Sequence, residues 1–368
     1  MADLRRAVAN MFMVGFPGTD PDEPFLRLVE EGLFGAILFK RNVTDARGTA
    51  ELVRKVKSRA ARPFVFSVDQ EGGRVARLRG APFTALPPMR HIGQNGDAAL
   101  AERAGRLLAY ELRALGFDWD FAPVLDVDTN PKNPVIGDRS FHREATVVSK
   151  MGIALARGLE AGGVASCAKH FPGHGDTEQD SHHVLPRLAH PIDRLRRVEL
   201  PPFHAYAEAK LASVMTAHVI FDAVDPGVPA TMSPLVLEGM LRAELGFGGV
   251  IVSDDLEMKA IADNYSVPEA AVLGVLAGVD LFLVCHHDEL QRAAIDAVVS
   301  AVKSGRIAQR RIEESNLRLH ALSSRFARPA EDLVERLGSK EHRELAAGFE
   351  DISAGADPTE ANYSRKGV

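Results

Sequence analysis

Fourteen residues from Lys169 to His182, KHFPGHGDTEQDSH, hold one lysine, three histidines and two aspartates. Pro172, Gly173 and Gly175 give this run the irregular backbone of a loop. A packed core gains nothing from so many ionisable groups, because burying them unpaired is costly. The five residues before it, Val164 to Ala168, are small and apolar, as in a buried strand that delivers its last residues to a pocket. Within the run, Asp180 stands two residues before His182. A carboxylate so placed can orient the imidazole and stabilise its protonated form, which brings the ring near the working pH of a general acid–base catalyst.

A second carboxylate group lies in Gly249-Val250-Ile251-Val252-Ser253-Asp254-Asp255-Leu256. Side chains alternate along a strand, so only one of Asp254 and Asp255 is expected to face a pocket while the other caps the next element. An inward carboxylate on a rigid strand end suits a nucleophile attacking an electrophilic carbon from a fixed direction. Asp69 to Arg77 adds a carboxylate, a tight glycine turn and two guanidinium groups, and Arg139 adds another cation. Carboxylates and cations together are suited to gripping several hydroxyl groups of a sugar. His170, His174, Asp176, His182 and His218 could instead assemble a metal site. No H-E-x-x-H and no H-x-H on the first strand accompany them, and Lys169 places a positive charge beside His170. Neither a metal nor another cofactor is expected.

The elements that must position these groups recur with a regular rhythm. Short apolar runs occupy Phe12–Phe16, Ala36–Phe39, Phe64–Val68, Phe121–Leu125, Ala165–Ala168, Ser213–Thr216, Gly249–Val252 and Leu281–Val284. Helical patterns separate them, with Ser233-Pro234 and Ser266 with Glu269 as start signals and Gly162-Gly163 as a stop. Val272, Val275, Leu276 and Val279 should form one apolar helix face. Buried strands alternating with helices pair in parallel, and eight of them predict an α/β fold of the (β/α)8 barrel type. A doubly wound open sheet is the alternative, but no G-x-G-x-x-G follows the first strand. Asp69, Asp126, Asp128, Lys169, His170, His218, Asp254 and Asp255 all fall at the C-terminal ends of the expected strands, the face where barrel enzymes carry their chemistry. Residues 1–330 should form a single barrel domain, and 331–368 should form one or two terminal helices followed by a poorly ordered tail from Asp351.

Composition excludes several other classes. A formal net charge of −6 with no basic cluster argues against a nucleic-acid surface. No apolar run is long enough to span a membrane. The two cysteines, Cys167 and Cys285, sit in apolar runs and read as buried free thiols of a reducing compartment. Arg5-Arg6 before an apolar stretch resembles a short export signal, but Asp3 and the lack of an Ala-x-Ala site favour a helix running into the first strand. A cytoplasmic protein is expected.

KHFPGHGDTEQDSH, SVDQEGGRVARL, IGDRSF and VSDDLEM together resemble glycoside hydrolase family 3, in its β-N-acetylhexosaminidase branch. The likeness runs from about residue 10 to 325 and keeps the four motifs in order. It implies that Asp254 is the nucleophile, that His182 assisted by Asp180 is the acid/base, and that Asp69, Arg77, Arg139, Lys169 and His170 contact the sugar. It further implies retaining exo-cleavage of a terminal β-linked N-acetylglucosamine from a small carbohydrate, of the kind used in bacterial peptidoglycan recycling. A phosphorylase or a β-glucosidase on the same scaffold, or a catalytically silent sugar-binding protein, would share these motifs.

Overall fold

The computed structural model describes residues 2–178, 185–329 and 331–349. Eight short apolar runs form the inner strands: β1 (Phe12–Val14), β2 (Gly35–Leu38), β3 (Val65–Val68), β4 (Trp119–Asp120), β5 (Cys167–Phe171), β6 (Ser213–Thr216), β7 (Val250–Asp255) and β8 (Leu281–Val284). They pair in parallel in the order β4-β3-β2-β1-β8-β7-β6-β5. The two edges meet through parallel bridges from Trp119 to Ala165 and from Val124 to Lys169, which close the sheet into a (β/α)8 barrel. The strand residues are buried almost throughout, as expected when one face fills the barrel and the other is covered by helices.

Each strand is followed by a helix: Glu23–Glu31, Ala46–Lys57, Ala98–Leu115, Ala145–Ala161, Pro201–Glu208, Leu235–Glu244, Val267–Ala277 and Asp288–Lys303. Local signals set their ends. The side chains of Asp22, Asp45, Asp97 and Ser266 each accept a hydrogen bond from a backbone N–H of the first turn. Gly162 caps the helix before β5, as its Gly-Gly stop signal predicts.

Two expectations need correction. The fourth strand is regular over Trp119–Asp120, starting earlier than the Phe121–Leu125 run; beyond Asp120 the Phe121 N–H donates to the Val68 carbonyl, the Ala122 carbonyl accepts from the Cys167 N–H, and Val124 bridges to Lys169. Pro123 has no N–H to donate, but its carbonyl still accepts from the Lys169 N–H. Leu276 also leaves the expected apolar face, being 41% exposed, and Val279 lies beyond the end of that helix.

The end of the barrel opposite the catalytic motifs is tied by buried carboxylates. Asp280 accepts from Arg242, Arg311, Arg318 and Ser315, and Asp118 accepts from Lys57 and Arg113. Glu160 pairs with Arg325. Arg311, Arg318 and Arg325 recur every seven residues on one face of the helix Gln309–Phe326, so this helix is strapped to the barrel by ion pairs. A short helix, Lys340–Ala346, follows, with His342 buried against Glu111. The tail from Asp351 lies outside the described residues.

Candidate active site

The catalytic end of the barrel is built first by the chain leaving β3. Asp69 ends the strand, and residues Gln70–Gly72 and Val75–Ala76 form a two-stranded hairpin above it. Gly72 and Gly73 turn that hairpin with φ of 93° and 56°, a region few other residues enter without strain. The Gln70 side chain holds the two arms: its Oε1 accepts from the N–H groups of Arg77 and Leu78, and its Nε2 donates to the Leu78 carbonyl. This brings Arg77 back over Asp69, with Nη2 3.3 Å from Oδ2.

Lys169, on β5, completes a buried charge network. Its Nζ lies 2.8 Å from Asp69 Oδ1 and 2.6 Å from Glu71 Oε1. Glu71 is also gripped by Arg139 through two parallel hydrogen bonds of 2.9 and 2.8 Å. Burial alone would push both carboxyls up. For Asp69 the Lys169 and Arg77 charges outweigh burial, and for Glu71 those of Arg139 and Lys169 do so, holding both groups below the usual carboxylate range. Burial likewise works against the Lys169 ammonium, but Asp69 and Glu71 outweigh it and raise its pKa. Three cations and two carboxylates are therefore all charged, giving the cluster one net positive charge and ten or so fixed donors and acceptors.

Next to it, His170 Nδ1 donates to Asp126 Oδ2 at 2.7 Å, which fixes the ring orientation. Asp126 also accepts from the backbone N–H groups of His170 and His174. Burial opposes its ionisation, but the His170 charge outweighs burial and keeps its pKa low. His174 packs edge-on against His170 and shares a 2.7 Å hydrogen bond with Thr177. Burial, reinforced by the His170 charge, lowers its pKa to about 4, so its imidazole is neutral near pH 7. Asn133 fastens this segment from the side, donating to the His174 carbonyl and to Thr177 Oγ1.

The third wall is the end of β7. The register against β8 shifts between Val252 and Asp255, and this irregularity breaks the simple alternation expected from the sequence. Both aspartates therefore line the cavity, but they differ in what holds them. Asp255 Oδ1 accepts from the N–H groups of Glu257 and Cys285, and Oδ2 lies 3.2 Å from His286 Nε2. It caps the turn after the strand rather than the following helix. Asp254 is half-buried, and its Oδ1 accepts from the Asp255 N–H. His218, beyond β6, donates from Nε2 to the Asp255 carbonyl at 3.0 Å and so fixes the backbone that carries Asp254. Burial lowers its pKa, which disfavours the charged ring.

Asp69, Arg77, Arg139, Lys169, His170 and Asp254, drawn from five separate places in the chain, share one cavity. The register of β5 against β6 also shifts between Ala168 and Phe171, and the adjacent Lys169 and His170 both line this cavity. Asp180 and His182 lie outside the described residues. Glu71 and Asn133 were not singled out in the sequence, and Asp126 was placed at a strand end on the catalytic face without a role of its own. Glu71 had a usable signal, since it stands beside the glycine turn of a charged motif; Asn133 had none. Among the described residues, no three His, Cys, Asp or Glu side chains are grouped to hold a metal ion. Nor, among them, is any helix long and apolar enough to cross a membrane.

Residues 3–322 match the glycosyl hydrolase family 3 N terminal domain. The chain belongs to this family. As a family 3 member it is a glycoside hydrolase. It is 42% identical to a beta-hexosaminidase of Neisseria meningitidis serogroup C over 276 residues, 73% of this chain and 76% of that protein. A beta-hexosaminidase of Bordetella parapertussis is 38% identical over 339 residues, 90% of this chain and 92% of the relative. Among solved structures, a family 3 beta-N-acetylglucosaminidase from Paenibacillus superposes with a TM-score of 0.88 at 44% identity, covering 93% of this chain and 67% of that one. NagZ from Neisseria gonorrhoeae in complex with N-trifluoroacetyl-D-glucosamine gives 0.77 at 34% identity, covering 92% and 96%.

Proposed function

We propose that this family 3 glycoside hydrolase is a retaining exo-β-N-acetylglucosaminidase. The observation that carries the reading is Asp254 itself: a half-buried carboxylate on a strand end that lines the same cavity as a fixed cluster of Asp69, Arg77, Arg139 and Lys169. Such a cluster can hold a sugar by its hydroxyls while Asp254 faces the anomeric carbon. The names of the relatives support N-acetylglucosamine as that sugar.

In the first step Asp254 attacks the anomeric carbon as the bond to the leaving oxygen breaks, and His182 gives that oxygen its proton. In the second, water attacks the glycosyl-aspartate, His182 takes the water's proton, and Asp254 leaves, so the anomeric configuration is retained. Asp180 would orient His182 and stabilise its charged form. Asp69, Arg77, Arg139, Lys169 and His170 would be the sugar contacts. The family resemblance implies a muropeptide fragment as the substrate. The two unpaired, buried thiols support a cytoplasmic setting.

The test is hydrolysis of aryl β-N-acetylglucosaminide and aryl β-glucoside by the wild type and by Asp254→Ala, with and without phosphate. Strong preference for the N-acetyl sugar, loss in the variant and free sugar as product would support the proposal. A sugar phosphate would make the enzyme a phosphorylase, preference for glucoside a β-glucosidase, and an active variant would remove Asp254 from the chemistry.

A further inference from the structure

The register of β7 against β8 shifts between Val252 and Asp255, and beyond the shift the Leu256 N–H still donates to the Leu283 carbonyl. Along the same stretch, side chains take up further N–H groups of the neighbouring chain. Ser253 Oγ accepts from the Leu283 N–H at 3.1 Å, and Asp255 Oδ1 accepts from the Cys285 N–H at 3.2 Å. Glu257 Oε1 accepts from the N–H groups of His286 and His287 at 2.9 and 3.2 Å, and its Oε2 lies 2.6 Å from His287 Nδ1. The acceptors stand at every second residue, 253, 255 and 257, and the donors advance in step through 283, 285 and 287. This is the spacing of a strand ladder, carried here by side chains. Ser253 is fully buried, and the Glu257 side chain is only 4% exposed.

We infer that Ser253 and Glu257, with Asp255 between them, form a side-chain ladder that positions Asp254 for attack on the anomeric carbon, a conclusion that rests on the reading of Asp254 given above. Asp254 lines the cavity, and its Oδ1 accepts from the Asp255 N–H. Its two chain neighbours, Ser253 and Asp255, are both tied to β8. On the β6 side, His218 Nε2 lies 3.0 Å from the Asp255 carbonyl. The chain that supplies the donors is itself anchored. Arg41 Nη2 donates to the Cys285 carbonyl at 2.7 Å, and Gly15 packs so closely there that a Cβ would lie 2.2 Å from the carbonyl oxygen. Asp254 thus stands where the strand pairing is irregular without gaining freedom, and a displacement of about 1 Å at a reacting group can cost on the order of 10²-fold in rate. Ser253 and Glu257 do not line the cavity; they are positioning residues.

The test measures kcat/KM for aryl β-N-acetylglucosaminides whose leaving groups range from 2,4-dinitrophenol to phenol, together with the Ki of N-acetylglucosamine and Tm. The full-length wild type is compared with Ser253→Ala, Glu257→Ala, Glu257→Asp and Glu257→Gln. The first parameter reports the step in which Asp254 attacks, whatever the leaving group, and Ki reports the grip on the sugar. We expect Ser253→Ala and Glu257→Ala to lose roughly tenfold in kcat/KM, by the same factor on every leaving group, with Ki within about twofold of the wild type. Glu257→Asp keeps the charge but draws the acceptor back by one methylene, and should show the same uniform loss even where Glu257→Ala does not fold. Glu257→Gln, whose side-chain carbonyl can still accept from both N–H groups, should recover most of the rate. A lowered Tm with unchanged kcat/KM would make the ladder a structural support and overturn the inference. A loss confined to poor leaving groups, or one matched by a rise in Ki, would overturn it equally, by moving the effect to the acid/base or to sugar binding. Asp254→Ala is measured alongside. An active Asp254→Ala overturns the nucleophile reading and the ladder with it, whereas an inactive one beside wild-type kinetics in the ladder variants overturns the ladder alone.

Discussion

Replacing Lys169 by Met keeps most of the side chain's length and removes only the charge that lies between Asp69 and Glu71. Glu71 keeps both bonds to Arg139, whereas Asp69 retains the 3.3 Å contact to Arg77. Each lost contact is a charge-assisted hydrogen bond of about 1.5–3 kcal/mol. Removing one partner of a buried ion pair costs about 3–5 kcal/mol, most of it from the charge left behind. Lys169→Met should therefore destabilise the fold by about 3–5 kcal/mol, a fall in Tm of about 4–6 °C for a chain of this size. The stranded group is Asp69, so Asp69→Asn should cost less in the Lys169→Met background than alone, with a coupling of about 1–3 kcal/mol. The pH dependence has a defined sign. In the wild type Asp69 is held low by Lys169 and Arg77, so its contribution is present above the unfolded carboxylate pKa and lost below it. Without Lys169, burial raises its pKa, and the penalty is relieved as falling pH protonates it. The gap between the two proteins should narrow from pH 7 to pH 5. Guanidinium denaturation of the four proteins of the cycle measures all three quantities. A loss under about 1 kcal/mol, a coupling near zero or a gap independent of pH would refute the charge network as drawn.

Three further perturbations probe other parts of the molecule. His174 is neutral in the fold with a pKa of about 4, against 6.5 for the free side chain, so the unfolded chain binds the extra proton between these values. Stability should fall by about 3 kcal/mol as pH drops through this window, and a Tm series on His174→Gln should show a shallower slope there. Gly175→Ala drives a methyl into the Val127 carbonyl; we expect a cost of about 1–3 kcal/mol by urea denaturation and reduced kcat. Asp280→Ala strands Arg242, Arg311 and Arg318 at the far end of the barrel. It should cost about 3–5 kcal/mol while leaving KM for an aryl glycoside unchanged, and a raised KM would mean the two ends are coupled.

The barrel was legible in the sequence because its strands are buried on both faces and separate cleanly from the helices between them. The positions of Asp69, Lys169 and Asp254 at strand ends followed from that rhythm. What failed was local geometry. Alternation predicted opposite faces for Asp254 and Asp255, but the shifted register of β7 places both on the cavity wall, and only their hydrogen-bond partners tell them apart. The regular fourth strand begins two residues before the apolar run, at Trp119, and the run itself pairs with its neighbours less regularly. The groups that hold the site, Glu71 on Arg139, Asp126 on His170 and Asn133 on His174, come together from distant parts of the chain. Their roles follow from pairing, and no spacing rule in one sequence exposes a partner 44 or 68 residues away.

The reading of Asp254 as a nucleophile is tested most directly by trapping. A fluorinated N-acetylglucosaminyl fluoride that slows breakdown of a glycosyl-enzyme should add one sugar to the intact protein. Peptide mass spectrometry should then place it on Asp254. An adduct on Asp255 or elsewhere, or no adduct together with a product of inverted anomeric configuration by NMR, would contradict the mechanism.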